Sequence, residues 1–313
     1  MKTPMVSVVI TNYNYGKYLR EAINSVLHQT YENLEIILID DASTDNSQEV
    51  YNEFRDKMKI VEHEENRGIV FSRNEAIDIS RGEYLTFLDA DDYWDEDYIE
   101  KSLMVAREFD ADVIYPNWRL FGDEIREHTM NFAEFAPQLL QLQTIHCTAE
   151  SLVRKSAIGN HRFESEKVAE DWDFFIGLSL DGAKFKLAKD NFIHYRQKAG
   201  SRGTKNDEIE DVKYFVEILQ KWRRIYGDKV IDPSELVLAK LKPAIDARKD
   251  LARSLVDAIA IIEKLRAELD ETISENENMA KTINDLINSR TYKVGKIIAK
   301  PVHGVRKILN KNR

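Results

Sequence analysis

Apolar and polar stretches alternate regularly through the first third of the chain. Val6-Ser7-Val8-Val9-Ile10 is β-branched and apolar, the pattern of a parallel strand buried on both faces. A polar turn, Thr11-Asn12-Tyr13-Asn14-Tyr15-Gly16, separates it from residues 18–28, where Leu19, Ile23, Val26 and Leu27 fall at helical spacing. Residues 34–39 read as a second strand ending in Asp40-Asp41. Ser43-Thr44-Asp45 offers helix-capping chemistry to a helix over 46–54. Residues 59–62 give a short third strand. Asn66-Arg67-Gly68 turns into a helix over 69–80, and Arg81-Gly82 stops it before a strand begins at Tyr84. Strand and helix in strict alternation predict a parallel sheet covered by helices on both faces. Ligands of such sheets bind beyond the carboxyl ends of the strands.

The polar groups cluster at those ends: Thr11 and Tyr13 after strand one, Asp40 and Asp41 after strand two, Asp89 and Asp91 after strand four. Tyr84-Leu85-Thr86-Phe87-Leu88-Asp89-Ala90-Asp91-Asp92 is a hydrophobic strand running into carboxylates. Alternation puts Asp89 and Asp91 on one side if strand geometry persists. Two carboxylates on one side repel, and a hard divalent cation with oxygen ligands, Mg²⁺ or Mn²⁺, would relieve that repulsion. The plainer reading is an acidic loop capping the next helix, and Asp92 or Asp95 can serve that purpose alone. No Gly-x-Gly-x-x-Gly follows strand one, which disfavours a dinucleotide site, and the absence of Gly-Lys-Ser/Thr excludes a Walker-type loop.

Composition narrows the classes. With 313 residues, 43% hydrophobic, the chain can bury a sizeable core in more than one unit. A net charge of −10 argues against a nucleic-acid binder. Cys147 is the single cysteine, so no internal disulfide forms. The apolar run at 5–10 is too short for a secretory leader, and no run approaches the length needed to span a bilayer. The expected location is cytoplasmic, peripheral at most to the inner face of the membrane.

At this point a resemblance becomes specific. The segment from Val6 to Asn14, then Ser25-Val26-Leu27-His28-Gln29-Thr30-Tyr31-Glu32-Asn33-Leu34-Glu35, then Ile39-Asp40-Asp41-Ala42-Ser43-Thr44-Asp45 resemble the opening blocks of family 2 glycosyltransferases with the GT-A fold. Asn66-Arg67-Gly68 with Ser72-Arg73-Asn74 looks like the next block, and Leu88-Asp89-Ala90-Asp91-Asp92 looks like the metal motif. The likeness spans about residues 5–203. Ala42 departs from it, standing where the family usually has Gly.

The resemblance implies a mostly parallel, Rossmann-like GT-A sheet and a nucleotide-diphosphate sugar donor, with a UDP-sugar expected. It implies Thr11 and Tyr13 at the base, with Tyr13 stacking, and Asp41 on base or ribose. It implies Asn66 as a further base contact and Arg73 near the diphosphate. Asp91 would be the direct ligand of Mn²⁺ or Mg²⁺, and Asp89 would meet the ribose or a metal-bound water.

The middle of the chain would carry the acceptor chemistry. Residues 112–115 and 151–153 read as strands and 154–158 as a turn or short helix. Trp118 and residues 121–134 read as an irregular insertion over the acceptor cleft. Val168-Ala169-Glu170-Asp171-Trp172-Asp173 resembles the family's Glu-Asp block at a helix start. A sugar hydroxyl is a poor nucleophile and needs a base as it attacks. By resemblance Asp171 is that base, with inversion at the anomeric carbon, and Glu170 supports it. Trp172 offers a flat face for an acceptor sugar. Without the upstream blocks, the same acids would read as ordinary helix N-terminal residues. Phe192-Ile193-His194-Tyr195-Arg196 with Gly200-Ser201 resembles the closing strand and loop, which makes His194 and Arg196 candidates for the metal–diphosphate group.

The remainder has a different character. Residues 207–226 form an amphipathic helix with Val212, Phe215, Val216, Leu219 and Trp222 on one side, expected to pack on the domain spanning 1–205. Over 233–289 a long helix is expected. From Leu251 to Leu286 its apolar positions step by four and three, with Asn276 at an a position, the pattern of a homo-oligomeric coiled coil. From Arg290 to Arg313 there are eight Lys or Arg and no Asp or Glu, which leaves −18 on the rest of the chain. Apolar residues interleave with these cations, and such segments bind anionic membrane surfaces. The sequence therefore reads as a glycosyltransferase acting on a glycan, lipid-linked or cell-envelope acceptor. The alternative is an inactive GT-A domain serving as a membrane-associated coiled-coil scaffold.

Overall fold

The structure is a computed structural model that describes residues 3–123, 125–130, 135–142, 145–164, 169–197 and 208–246. The expected coiled coil at 251–286, the basic tail at 290–313 and the Gly200-Ser201 loop lie outside the described residues. The chain divides into two compact units, Met1–Asn206 and Asp207–Arg313.

The first unit is built on one sheet. Its strands are β1 (Val6–Asn12), β2 (Leu34–Asp40), β3 (Lys59–Glu62), β4 (Tyr84–Asp89), β5 (Tyr93–Trp94), β6 (Val113–Gly122), β7 (Arg126–His128), β8 (Leu152–Arg154) and β9 (Phe185–Gln197). They lie in the order β3-β2-β1-β4-β8-β6-β9-β5, with β7 added to β6. The four strands anticipated from the early alternation pair in parallel, β2 with β1 and β3, and β1 with β4. Every residue of β1 is buried, as a central parallel strand requires.

Beyond β4 the sheet is mixed. Three-residue β8 runs antiparallel to both β4 and β6, and β6 then pairs in parallel with β9. The expectation of a mostly parallel sheet holds for β1 to β4 and for the β6–β9 pair, while the short β5, β7 and β8 run antiparallel to their neighbours. Short β8 arrives from the opposite direction and fills the slot beside β4. A second correction concerns Trp118, which lies in β6 and not in an irregular insertion; β6 and β7 form an antiparallel hairpin.

The helices of this unit are α1 (Gly16–Leu27), α2 (Ser47–Asn52), α3 (Ile69–Ile79), α4 (Tyr98–Phe109), α5 (Pro137–Gln141), α6 (Lys155–Ile158) and α7 (Glu170–Leu180). The apolar stripe expected on α1 is buried at Leu19, Ile23 and Val26 and packs with Val6, Val8, Ile10 and Tyr51 in the main core. Burying one such side chain stabilises by about 1.5–3 kcal/mol.

The loops after β1 and β2 are tied together. The Asp40 carboxylate accepts from Asn12 Nδ2 at 2.6 Å and from the Ser43 hydroxyl at 2.6 Å, while Asn14 Oδ1 accepts from the Thr44 amide at 2.7 Å. Capping chemistry differs from the expected Ser43-Thr44-Asp45 cluster: Asp45 alone accepts from the Gly16 and Ser47 amides, the first residues of α1 and α2. The departure at Ala42 has a structural counterpart, because Ala42 has φ 60°, in the left-handed region where glycine is favoured. Ala42→Gly is expected to relieve about 1 kcal/mol of strain, partly offset by the extra freedom of glycine in the unfolded chain. The melting temperature should rise by about 2 °C, measured by thermal unfolding.

The second unit contains α8 (Glu208–Tyr226), a 3-10 turn at Gly227–Lys229 and α9 (Pro233–Asp246). Of the stripe expected on α8, Leu219 and Trp222 are buried while Val212, Phe215 and Val216 are half-buried. No helix among the described residues is long and apolar enough to cross a membrane.

Candidate active site

The loops leaving β1, β2 and β4 open onto one cleft of about 980 Å³. The β6–β7 hairpin, the segment before β8, the start of α7 and the end of β9 complete its walls. The volume is in the range of pockets that hold ligands of nucleotide size. Thr11, Tyr13, Asp41, Asn66, Arg73, Asp89, Asp91, Glu170 and Asp171 all line it, although they lie far apart in the chain.

On the β1–β2 side, Tyr13 is 44% exposed, so its ring stands free at the mouth. Asp41 is buried and accepts from the amides of Arg67 and Gly68, both at 2.8 Å. It thereby holds the 66–68 turn that carries Asn66. Gly68 makes that turn possible with φ 84°.

Arg73 is the cation at the centre. It is 4% exposed, and its two terminal nitrogens reach Asp89 Oδ1 at 3.2 Å and Glu170 Oε1 at 3.0 Å. Asp89 Oδ1 also accepts from the Thr11 hydroxyl at 3.1 Å. One guanidinium thus ties the end of β4 to the first turn of α7. Burial opposes its charge, but Asp89, Glu170 and Asp171 outweigh burial and push its pKa above the ordinary arginine value.

Next to Glu170, the Asp171 carboxyl is pushed up to about 7, by burial first and then by the charge of Glu170, with Arg73 pulling the other way. A base needs a pKa near working pH, and this is such a group.

Three carboxylates come together where β4 ends, two of them, Asp89 and Glu150, on the cleft wall. Asp89, Asp92 and Glu150 each offer an oxygen within 4.8 Å of the others. Glu150 is pushed up to about 7, by burial first and then by Asp89. Its carbonyl is held by the hydroxyls of Thr86 at 2.7 Å and Tyr98 at 2.8 Å. Asp92 is 2% exposed, and burial followed by the charges of Asp91, Glu150 and Asp89 raises its pKa well above the carboxylate range. Asp92 Oδ1 accepts from the Arg196 amide at 2.7 Å, while Oδ2 is enclosed without a hydrogen-bond partner. The donor set is all oxygen, with one buried oxygen unpartnered, which fits a hard divalent cation.

The reading of Asp92 as a helix cap is therefore corrected: it faces the acid cluster. The strand end is pinned from β9, where Arg196 Nε donates to the Asp91 carbonyl at 2.8 Å.

Two candidates lie elsewhere. Trp172 is not on the cleft: it is 5% exposed and its indole nitrogen donates to the Leu140 carbonyl at 2.6 Å. Helix geometry turns it into the core when Glu170 and Asp171 face the cleft. His194 also points away, its Nε2 donating to Asp95 Oδ1 at 2.8 Å and its ring stacking on Tyr93. Glu150 lines the cleft although no motif contains it, and Arg126 and His128 of the 121–134 segment and Tyr195 of the closing block line it although no role was expected of them individually. Glu150 precedes an apolar strand and carries no motif, so only its placement reveals it.

Residues 7–162 match the family described as Glycosyl transferase family 2. The glycosyltransferase GlyG of Streptococcus pneumoniae is 31% identical over 241 residues, covering 69% of this chain and 79% of its own length. The chain belongs to glycosyltransferase family 2. A putative teichuronic acid biosynthesis glycosyltransferase of Bacillus subtilis, TuaG, is 33% identical over 124 residues, which is 39% of this enzyme and 49% of TuaG. Among solved structures, Staphylococcus aureus TarS 1–349 in complex with UDP-GlcNAc superposes with a TM-score of 0.63 at 20% identity, covering 76% of this chain and 73% of that one. That likeness supports a GT-A-type fold for this glycosyltransferase.

Proposed function

We propose that this glycosyltransferase moves a sugar, with inversion, from a UDP-sugar to a hydroxyl of a glycan or lipid-linked cell-envelope acceptor, with a divalent cation at the acid cluster. The observation that carries the reading is the convergence of Tyr13, Asp41, Arg73, Asp89, Asp91, Glu170 and Asp171 on one cleft. The uridine donor draws support from the ligand of TarS, and the envelope acceptor from the pathway in the name of TuaG.

In this reading Tyr13 stacks on the base, Asp41 accepts hydrogen bonds from base or ribose, and Asn66 accepts or donates at the base. Asp89, Asp92 and Glu150 would hold the cation, with Asp91 on the same cleft as the ligand the family resemblance implies, and the cation when bound would neutralise charge on the diphosphate leaving group. Arg73 keeps Asp89 and Glu170 in place and adds positive charge beside the phosphates. Asp171 takes the acceptor hydroxyl proton while the new glycosidic C–O bond forms and the anomeric C–O bond to the β-phosphate breaks. The electron pair of that bond leaves with UDP.

Calorimetry of UDP, GDP, CDP and dTDP, each with and without Mn²⁺, on wild type and Asp91→Ala tests this. Metal-dependent binding of UDP, weakened at least tenfold in Asp91→Ala, is the expected result. Binding of a different nucleotide would replace the donor. Failure of all four would favour the inactive scaffold.

A further inference from the structure

The geometry points to a residue of the donor site that does not touch the donor. His63 follows β3 directly, and its amide donates to the Asp40 carbonyl at 2.9 Å. Its side chain is only 6% exposed and sits between two carboxylates: Nδ1 is 2.6 Å from Asp41 Oδ1 and Nε2 is 2.8 Å from Glu75 Oε2. An ionised carboxylate only accepts hydrogen bonds. Both ring nitrogens must then carry a proton, so the group that satisfies this arrangement is an imidazolium. We propose that His63 is a positioning residue for nucleotide binding: as an imidazolium it bridges Asp41 and Glu75 and so holds the 66–68 turn in the shape that receives the base.

The chain of contacts is short. Asp41 Oδ1 is shared by His63 and the Arg67 amide, and Asp41 Oδ2 takes the Gly68 amide. If His63 became neutral, one of its two carboxylate contacts would set an acceptor nitrogen against an acceptor oxygen. Asp41 would then be released or repelled, and the turn bearing Asn66 with it.

The other groups around His63 are consistent with a charged ring. Phe71 of α3 packs edge-on at 5.4 Å, and the Arg67 guanidinium lies over the ring of Phe71. Glu62, one residue earlier, is engaged by Arg55 and Tyr51, while Glu64 and Glu65 are exposed. Burial alone would lower the pKa of His63, but the hydrogen bonds to Asp41 and Glu75 outweigh it and raise it above the ordinary histidine value. The charged form is therefore present at low pH and lost as pH rises through that raised pKa. Nucleotide affinity should fall over the same interval. By linkage, a bound nucleotide must raise the pKa of His63, by one unit for each tenfold difference in affinity between the two protonation states.

The inference rests on the proposal that Asp41 and Asn66 face a nucleotide. The test is an NMR titration of the His63 ring in the full chain, with and without UDP and Mg²⁺, beside UDP affinity measured at each pH. Asp171 and Glu150 titrate near neutrality as well, so the difference between wild type and His63→Asn isolates His63. Glu75→Gln, off the cleft, is the second variant. The expected results are a His63 pKa that UDP raises further, and an affinity that falls about tenfold with the same midpoint in wild type but not in His63→Asn. Glu75→Gln should move both midpoints to lower pH together. UDP binding that is unchanged while His63 titrates would overturn this inference and leave the donor site intact. If UDP does not bind at any pH, the donor reading is lost and this inference with it.

Discussion

Asp171→Asn is expected to lower the transfer rate by about 10²–10⁴-fold while leaving nucleotide affinity within about twofold. The substitution keeps the size of the side chain and removes its charge and its ability to accept a proton. Because burial and Glu170 place the Asp171 carboxyl at about 7, the wild-type rate should also depend on pH with a definite sign. The carboxylate is the active form, so the rate rises as pH passes upward through about 7 and then levels. In Asp171→Asn that rise should disappear. Donor turnover and affinity, followed separately over pH, check both points. Near-normal transfer in the variant would remove Asp171 from the base role, and a rise that persists would assign it to another group.

The second large effect concerns Arg73. Replacing it with Met leaves Asp89 and Glu170 facing each other with no cation between them. Removing one partner of a buried ion pair costs about 3–5 kcal/mol. Here Asp89 keeps 35% of its side-chain surface and Glu170 17%, so water can compensate in part and about 2–3 kcal/mol is expected. For a domain of this size that is a fall in melting temperature of about 5–10 °C. Transfer should fall too, since Asp89 and the start of α7 lose their tie. Adding Glu170→Gln to Arg73→Met removes one of the stranded charges and should recover part of the stability but little activity. Urea and thermal unfolding of the single and double variants separate the two effects. A single variant as stable as wild type would mean that Arg73 contributes nothing to holding the cleft together.

The regular alternation of apolar and polar segments was enough to place the parallel strands β1 to β4 and the helices between them. Each of these follows a local rule, such as β-branched runs for buried strands or apolar residues at helical spacing for α1. The residues at the carboxyl ends of those strands were legible for the same reason, because the position of a residue after a strand is a local property. Asp41, Arg73, Asp89 and Asp91 were named from such positions and from the family motif, and all four line the cleft.

What the chain order did not reveal is where the later strands join. β8, of three residues, is too short to announce its direction, and its antiparallel entry between β4 and β6 depends on which slot the sheet leaves open. That entry brings Glu150 beside Asp89 and Asp92, across a separation in sequence that no periodicity encodes. The orientation of α7 is likewise a matter of packing: the same helix start can offer Trp172 or Asp171 to the cleft, and the contact of Trp172 with Leu140 decides it. His63 belongs with these cases. In sequence it is a histidine after a short strand, and only the approach of Asp41 from β2 and Glu75 from α3 gives its ring two carboxylate partners. Local pattern determined the elements and which polar groups stand at their ends. Tertiary structure decided which charges share one small volume, because electrostatic coupling depends on distance and burial and not on separation along the chain.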